Sequence, residues 1–153
     1  MQTSENKIAI LIPCKNEEST IKEVVADFSQ QFPESVVYVY DNASTDLTSL
    51  KAREAGAKVL FEGTPGKGQV IRRMFADIEA DIYVIADGDA TYDPADAPSL
   101  VKTLLDGGYD MVTGSRTGLK ENSRKGHLLG NKIFNRLYRT LFGSSFTDIF
   151  TGY

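Results

Sequence analysis

The sequence predicts an α/β domain with a mostly parallel sheet flanked by helices. Three observations carry that expectation. Short apolar runs alternate along the chain with stretches of helical period. Gly, Pro and acidic residues punctuate the junctions. The polar clusters also follow strands, and in open sheets ligands bind outside the carboxyl ends of the strands.

The elements follow in order. Residues 7–13 read as a buried strand through Ile8, Ala9, Ile10, Leu11 and Ile12, which Pro13 ends. Residues 16–20 open a helix with Ile21, Val24, Val25 and Phe28 on one face. Residues 36–40 form a second strand, β-branched and aromatic. Ser44, Thr45 and Asp46 start a helix over 47–55, which Gly56 stops. A third strand covers 58–61, and a Gly-rich loop covers 63–68. Residues 69–78 have helical spacing through Val70, Met74 and Ile78. Residues 81–86 form the fourth and most apolar strand. Pro94 starts a helix to about residue 105, broken by Gly107 and Gly108. A fifth strand is expected over 109–113, a polar loop over 114–126 and a last helix over 127–142.

Size and composition narrow the classes. A chain of 153 residues suits one domain and is too short for two comfortable ones. With 41% hydrophobic and 25% charged residues it is an ordinary globular composition. The net charge of -4 argues against nucleic acid as a partner of the whole protein. One stretch departs from that balance: Arg116, Lys120, Arg124, Lys125, Lys132, Arg136 and Arg139 face a single acid, Glu121. Such a run reads as a solvated helix face or as a patch for an anionic partner. Cys14 is the only cysteine, so no intrachain disulfide forms, and a buried core position in a reducing compartment is expected. His127 is the only histidine, which excludes a multi-histidine metal site. The polar start and the lack of an apolar run of about 18 to 20 residues point to a cytoplasmic protein.

The chemistry concentrates after the strands. Asp87 and Asp89 flank Gly88 directly after the apolar run 82–86. Two carboxylates at the tip of a buried strand repel each other and are costly to desolvate without a cation. Mg²⁺ or Mn²⁺ takes oxygen ligands, typically one or two carboxylates plus substrate phosphates. Gly88 removes a side chain where a phosphate must come close. A solvated acidic turn is the plainer reading of the same residues. After the second strand, Asp41, Asn42, Ser44, Thr45 and Asp46 offer acceptors and hydroxyls for a base and ribose, or caps for the next helix. Gly66-Lys67-Gly68 fails the P-loop pattern, because Gly68 stands where Ser or Thr should follow, yet Lys67 can still meet a phosphate as a point charge.

In order and spacing these residues resemble the large inverting family of GT-A glycosyltransferases that includes dolichyl-phosphate mannose synthases and polyprenyl-phosphate glycosyltransferases. Ile12-Pro13-Cys14-Lys15-Asn16-Glu17-Glu18 is similar to the family's opening motif, and Asp41 to Asp46 to its Asp-Asp-x-Ser-x-Asp, with Asn42 replacing the second Asp. Gly66-Lys67-Gly68, Asp87-Gly88-Asp89, Gly114-Ser115-Arg116, and Thr147-Asp148 with Thr151-Gly152-Tyr153 match later motifs. The resemblance implies a Rossmann-like GT-A fold, a UDP- or GDP-sugar donor, a divalent cation and inversion at the anomeric carbon. It places Pro13, Asn16 and Glu17 beside the nucleotide and Asp41 on the base. Asp87 and Asp89 would serve the metal and the diphosphate. Asp148 is the candidate base for a hydroxyl acceptor, with capping or ion pairing as its plainer role. Arg116 and Arg124 would hold an anionic acceptor such as polyprenyl phosphate. The apolar stripe Leu129, Ile133, Leu137 and Leu141, with basic residues off it, would pack in a core or rest on the cytoplasmic face of a membrane.

The chain stops at Tyr153, where the family continues. The expectation is therefore one GT-A domain over 1–153, truncated on its acceptor side, with a non-catalytic donor-binding fragment as one alternative. A second is a haloacid-dehalogenase-like phosphatase, because Asp87-Gly88-Asp89-Ala90-Thr91 also fits that class's Asp-x-Asp-x-Thr.

Overall fold

A computed structural model of the chain describes residues 6–114. The chain divides into two units, Met1–Val112 and Thr113–Tyr153, and the elements below lie in the first. The helix expected over 127–142, the polar loop beyond Gly114, and Arg116, Arg124, His127 and Asp148 lie outside the described residues.

The first unit runs β1 (Ile8–Cys14), α1 (Ile21–Gln31), β2 (Val36–Asp41), α2 (Thr48–Glu54), β3 (Lys58–Phe61), α3 (Lys67–Asp77), β4 (Ile82–Ile85), a 3-10 turn (Pro94–Asp96) and α4 (Ala97–Gly107). The described strands form one sheet in the order β3-β2-β1-β4, and every pair is parallel. The chain thus steps outward from β1 to β3 and then crosses back to the far side of β1. Parallel neighbours need crossover helices, and those helices bury both faces of the sheet.

Strand alternation sorts the core into two layers. Ala9, Leu11 and Tyr40 point to one face and pack with Val70, Met74 and Ile78 of α3 and its end. Ile10 and Ile12 point to the other face, and they are fully buried. Ile21, Val24, Val25 and Phe28 make one buried stripe on α1, as their spacing predicts. A buried side chain such as Met74 contributes about 1.5–3 kcal/mol by leaving water.

Several boundaries differ from the sequence reading. Pro13 does not end β1, because Cys14 still pairs with Asp41. The Cys14 carbonyl accepts from Asn42 N–H on the β2 side. Pro13 therefore turns its missing donor toward β4, where the ladder has already ended at Leu11 opposite Ile85. Helix α3 starts at Lys67, two residues before the expected start, so Lys67 and Gly68 belong to its first turn. The fifth strand over 109–113 is absent. Tyr109 and Met111 are 58% and 68% exposed, and the segment pairs with no described strand. Strand propensity reports packing against neighbours, and this run has no strand partner among the described residues.

Candidate functional site at the carboxyl rim of the sheet

All four strands being parallel, their carboxyl ends share one rim. The order β3-β2-β1-β4 reverses direction between β1 and β4, and crevices open at such reversals. A cleft of about 380 Å³ lies at this rim. Its lining comes from the end of β1 (Pro13, Cys14, Lys15, Glu17), from Asn42 after β2, from Gly66, Lys67 and Val70 at the start of α3, and from Asp87, Gly88 and Asp89 after β4.

Asp87 is half-buried and ion-paired through Oδ1 with Lys67 Nζ. Asp89 is exposed, and its Oδ1 accepts from Thr91 N–H at 3.0 Å. Lys67 is the first residue of an 11-residue helix, and the first-turn N–H groups of a helix lack partners inside it. The cleft is therefore acidic on the β4 side and carries positive potential on the α3 side.

Gly88 packs against the protein itself, a constraint beyond the one its sequence context suggests. A Cβ there would lie 2.5 Å from Cys14 Sγ, so a side chain at this position would overlap the end of β1. The Gly88 carbonyl accepts from the Thr20 hydroxyl at 2.7 Å, which ties the β4 loop to the entry of α1. Cys14 is a buried free thiol. Burial pushes its pKa far above the ordinary thiol value, and the carboxylates of Glu17, Asp41, Asp87 and Asp89 push it the same way. It is therefore no nucleophile.

Glu17 lines the cleft, and its backbone is fixed by a 2.8 Å bond from its N–H to Thr48 Oγ1. Its carboxyl is held above the usual range by desolvation and by the charges of Asp89, Asp46 and Asp87. That crowding of negative charge is what a divalent cation would relieve. Among the described residues, no group of three or more His, Cys, Asp or Glu side chains is placed to hold a metal by itself. Asp87 and Asp89 therefore fit a cation that takes its remaining ligands from a bound diphosphate, as Mg²⁺ and Mn²⁺ commonly do.

Two residues expected at the ligand lie outside the cleft lining and bond within the protein. Asn16 is absent from the cleft lining. It adopts φ 57, its Oδ1 accepts from Thr45 N–H at 2.8 Å, and its own N–H donates to Ser44 Oγ at 2.9 Å. Asp41 is 5% exposed and is also absent from the lining. One of its oxygens accepts from Ser44 N–H at 2.8 Å and the other from the Ser49 hydroxyl. These two side chains order the loops after β1 and β2, and the residue of the second loop that reaches the cleft is Asn42.

Ser44 and Thr45 do not cap α2 either. Thr48 N–H bonds to Asp46 Oδ1 at 3.0 Å, and Leu47 N–H bonds to Glu18 Oε2 at 3.0 Å. Burial raises the pKa of Asp46, but the hydroxyl and N–H of Thr48 and the N–H of Glu18 outweigh it and hold the carboxyl below its ordinary value. Sequence reasoning missed Asn42 as a structural element, and it placed Thr20 at the opening of α1 without its bond to Gly88. No sequence signal marked Asn42, because its burial and its three loop partners emerge only in the fold.

Comparison with known proteins supplies the family. The Glycosyl transferase family 2 model matches residues 9–152. The chain is 47% identical over 122 residues to protein RfbJ of Shigella flexneri, covering 78% of this chain and 95% of RfbJ. It is 37% identical over 149 residues to glycosyltransferase AglJ of Haloferax volcanii, covering 95% of this chain and 48% of AglJ. In fold it is similar to glucosyl-3-phosphoglycerate synthase of Mycobacterium tuberculosis, solved in complex with Mn²⁺, UDP-glucose and phosphoglyceric acid. The TM-score is 0.77 at 27% identity, over 97% of this chain and 56% of that one. The chain thus spans about half the length of AglJ and of the solved synthase. The phosphatase reading of Asp87 to Thr91 finds no support in these matches. The fold is that of the GT-A glycosyltransferases, and the chain belongs to glycosyl transferase family 2.

Proposed function

We propose that this domain binds a UDP- or GDP-sugar in the cleft between β1 and β4, with Mg²⁺ or Mn²⁺ on Asp87 and Asp89, and transfers the sugar with inversion. One observation carries the reading: the two carboxylates after β4 line the same cleft as Lys67 and the start of α3. The solved synthase with Mn²⁺ and UDP-glucose supports it by fold similarity.

When bound, the cation supplies positive charge at the diphosphate, where negative charge grows as the glycosidic bond breaks. Lys67 and the first-turn N–H groups of α3 add to that stabilisation from the opposite wall. Glu17 and the Asn16–Thr45 clamp keep the loop after β1 in one conformation, so the donor meets an ordered site. The proposed acceptor is polyprenyl phosphate, with a glycan hydroxyl as the other candidate. A lipid phosphate is already ionised and needs no strong base, whereas a hydroxyl needs a carboxylate, for which Asp148 is the candidate. Arg116 and Arg124 are the proposed anion contacts to that acceptor. The reaction would take place at the cytoplasmic face of a membrane. No helix among the described residues is long and apolar enough to cross one.

The test uses the full chain. Calorimetry with UDP and GDP, each with and without Mn²⁺, should show one nucleotide binding in a metal-dependent way. Asp89→Ala should abolish that dependence while the fold survives. Radiolabelled sugar should then pass to polyprenyl phosphate, and binding without transfer would favour a donor-binding role alone. Nucleotide affinity indifferent to both EDTA and Asp89→Ala would sink the reading.

A further inference from the structure

We infer that Asn42 is a positioning residue: its side-chain amide sets where α3 begins, and through it the grip of Lys67 and the α3 N-terminus on the donor's diphosphate. This inference rests on the donor-site reading above.

Asn42 is 5% exposed and follows β2 directly. Its Nδ2 donates to two carbonyls of the next loop, Glu62 O at 2.7 Å and Thr64 O at 2.8 Å. Its Oδ1 accepts from Gly66 N–H at 2.9 Å. An amide has two N–H donors and one carbonyl, so both donors and the acceptor are used. The partners fix the orientation of the amide, since two carbonyls require donors and an N–H requires an acceptor.

The loop it holds is otherwise exposed, from Gly63 to Gly66. Gly66 is the N-cap of α3, with φ 124, and no side chain caps the helix there. Residues with a Cβ rarely adopt that φ, so the chain turns into the helix at a glycine. The next residue is Lys67, which pairs with Asp87 across the cleft. Three bonds from one side chain therefore run from β2 to the point where the phosphate-facing helix starts.

The role demands an amide. Aspartate has the same shape but, when ionised, donates nothing. Asn42→Asp would set a carboxylate oxygen against the carbonyls of Glu62 and Thr64, which repel it. The resemblance of the Asp41 to Asp46 segment to a motif with Asp at this position makes that substitution informative, because it restores the motif while breaking the brace.

The experiment compares wild type with Asn42→Asp in two measurements. The first is amide hydrogen exchange at Gly66 and Lys67 without ligand. The second is affinity for UDP with Mn²⁺ against affinity for uridine, or GDP and guanosine if the wild-type chain selects that base. Exchange at Gly66 should rise by about tenfold or more, and diphosphate affinity should fall by about tenfold, as expected when one or two net hydrogen bonds are lost. Nucleoside affinity should hold. Unchanged exchange at Gly66 overturns the brace whatever the nucleotide does. Faster exchange with unchanged diphosphate affinity overturns its link to the donor. Equal losses for nucleoside and diphosphate overturn it in favour of a base contact by Asn42 itself. A wild-type chain that binds no nucleotide sinks the donor-site reading instead, and the exchange result still decides the brace.

Discussion

Lys67 and Asp87 form an ion pair across the mouth of the cleft, the lysine at the start of α3 and the aspartate just beyond β4. Their side chains are 54% and 26% exposed, so solvent screens the pair and its worth to stability is small. Its significance is electrostatic. The ammonium occupies one of the two carboxylates that a divalent cation would use, and it lies at the start of the helix proposed to face the diphosphate.

Lys67→Met should therefore act in opposite directions on two ligands. Freed of its partner, Asp87 should bind Mn²⁺ alone about two- to fivefold more tightly, in keeping with an exposed pair. The nucleoside diphosphate with Mn²⁺ should bind about tenfold more weakly, because a charge-assisted contact is lost. Paramagnetic resonance of free Mn²⁺ and calorimetry of the nucleotide measure the two effects. If both affinities move together, the pair is only a surface link.

Gly88 and Cys14 supply a packing test. Gly88→Ala would bring a Cβ to 2.5 Å from Cys14 Sγ, an overpacking that costs about 1–3 kcal/mol. Cys14→Ala removes the obstructing sulfur and leaves a small void. The double variant should be more stable than the sum of the single changes predicts, and urea titration of the four proteins yields the coupling. Additive costs would mean that the two residues do not share the space.

Cys14 should also be inert while the chain is folded. Its raised pKa keeps the thiol protonated near neutral pH, and the thiolate is the reactive form. Iodoacetamide at pH 8 should label the native chain far more slowly than the chain in denaturant. Mass spectrometry follows the label, and rapid native labelling would contradict the burial.

The fold was legible because its signals are local. Ile8 to Ile12 and Ile82 to Ala86 are apolar runs of strand length, and the α1 stripe of Ile21, Val24, Val25 and Phe28 has only one sensible reading. The rim position of Asp87 and Asp89 followed from strand order of the ordinary kind. The uses of Asn16, Asp41 and Asn42 were not legible. Each sits in a loop or at a strand end, and its partners are 3 to 29 residues away, so residue type could not show which polar group faced ligand and which faced backbone. Residues 109–113 misled for the opposite reason: they have strand composition, and composition alone does not show that no strand among the described residues pairs with them.

Acid stability tests the far end of α3. Asp77 accepts from Arg73 Nε at 2.7 Å and from the Tyr40 hydroxyl at 3.1 Å. The bond from Arg73 is the largest influence on its carboxyl. Burial opposes it, the Tyr40 hydroxyl assists it, and the result is a pKa below the ordinary 3.8. A carboxyl whose pKa is depressed by folding contributes stability above its unfolded pKa and loses it as the pH falls through the folded value. Asp46 and Glu62, both also depressed, act with the same sign. Glu17 acts with the opposite sign, because its raised pKa disfavours the charged form as the pH climbs through and above 4.5. Asp77→Asn removes one term only. Its melting temperature should fall below that of wild type above pH 4, and the gap should close as the pH drops below 3.8 toward 2. Thermal melts across that range measure the gap. A gap of constant size would show that Asp77 matters for its shape and not for its charge.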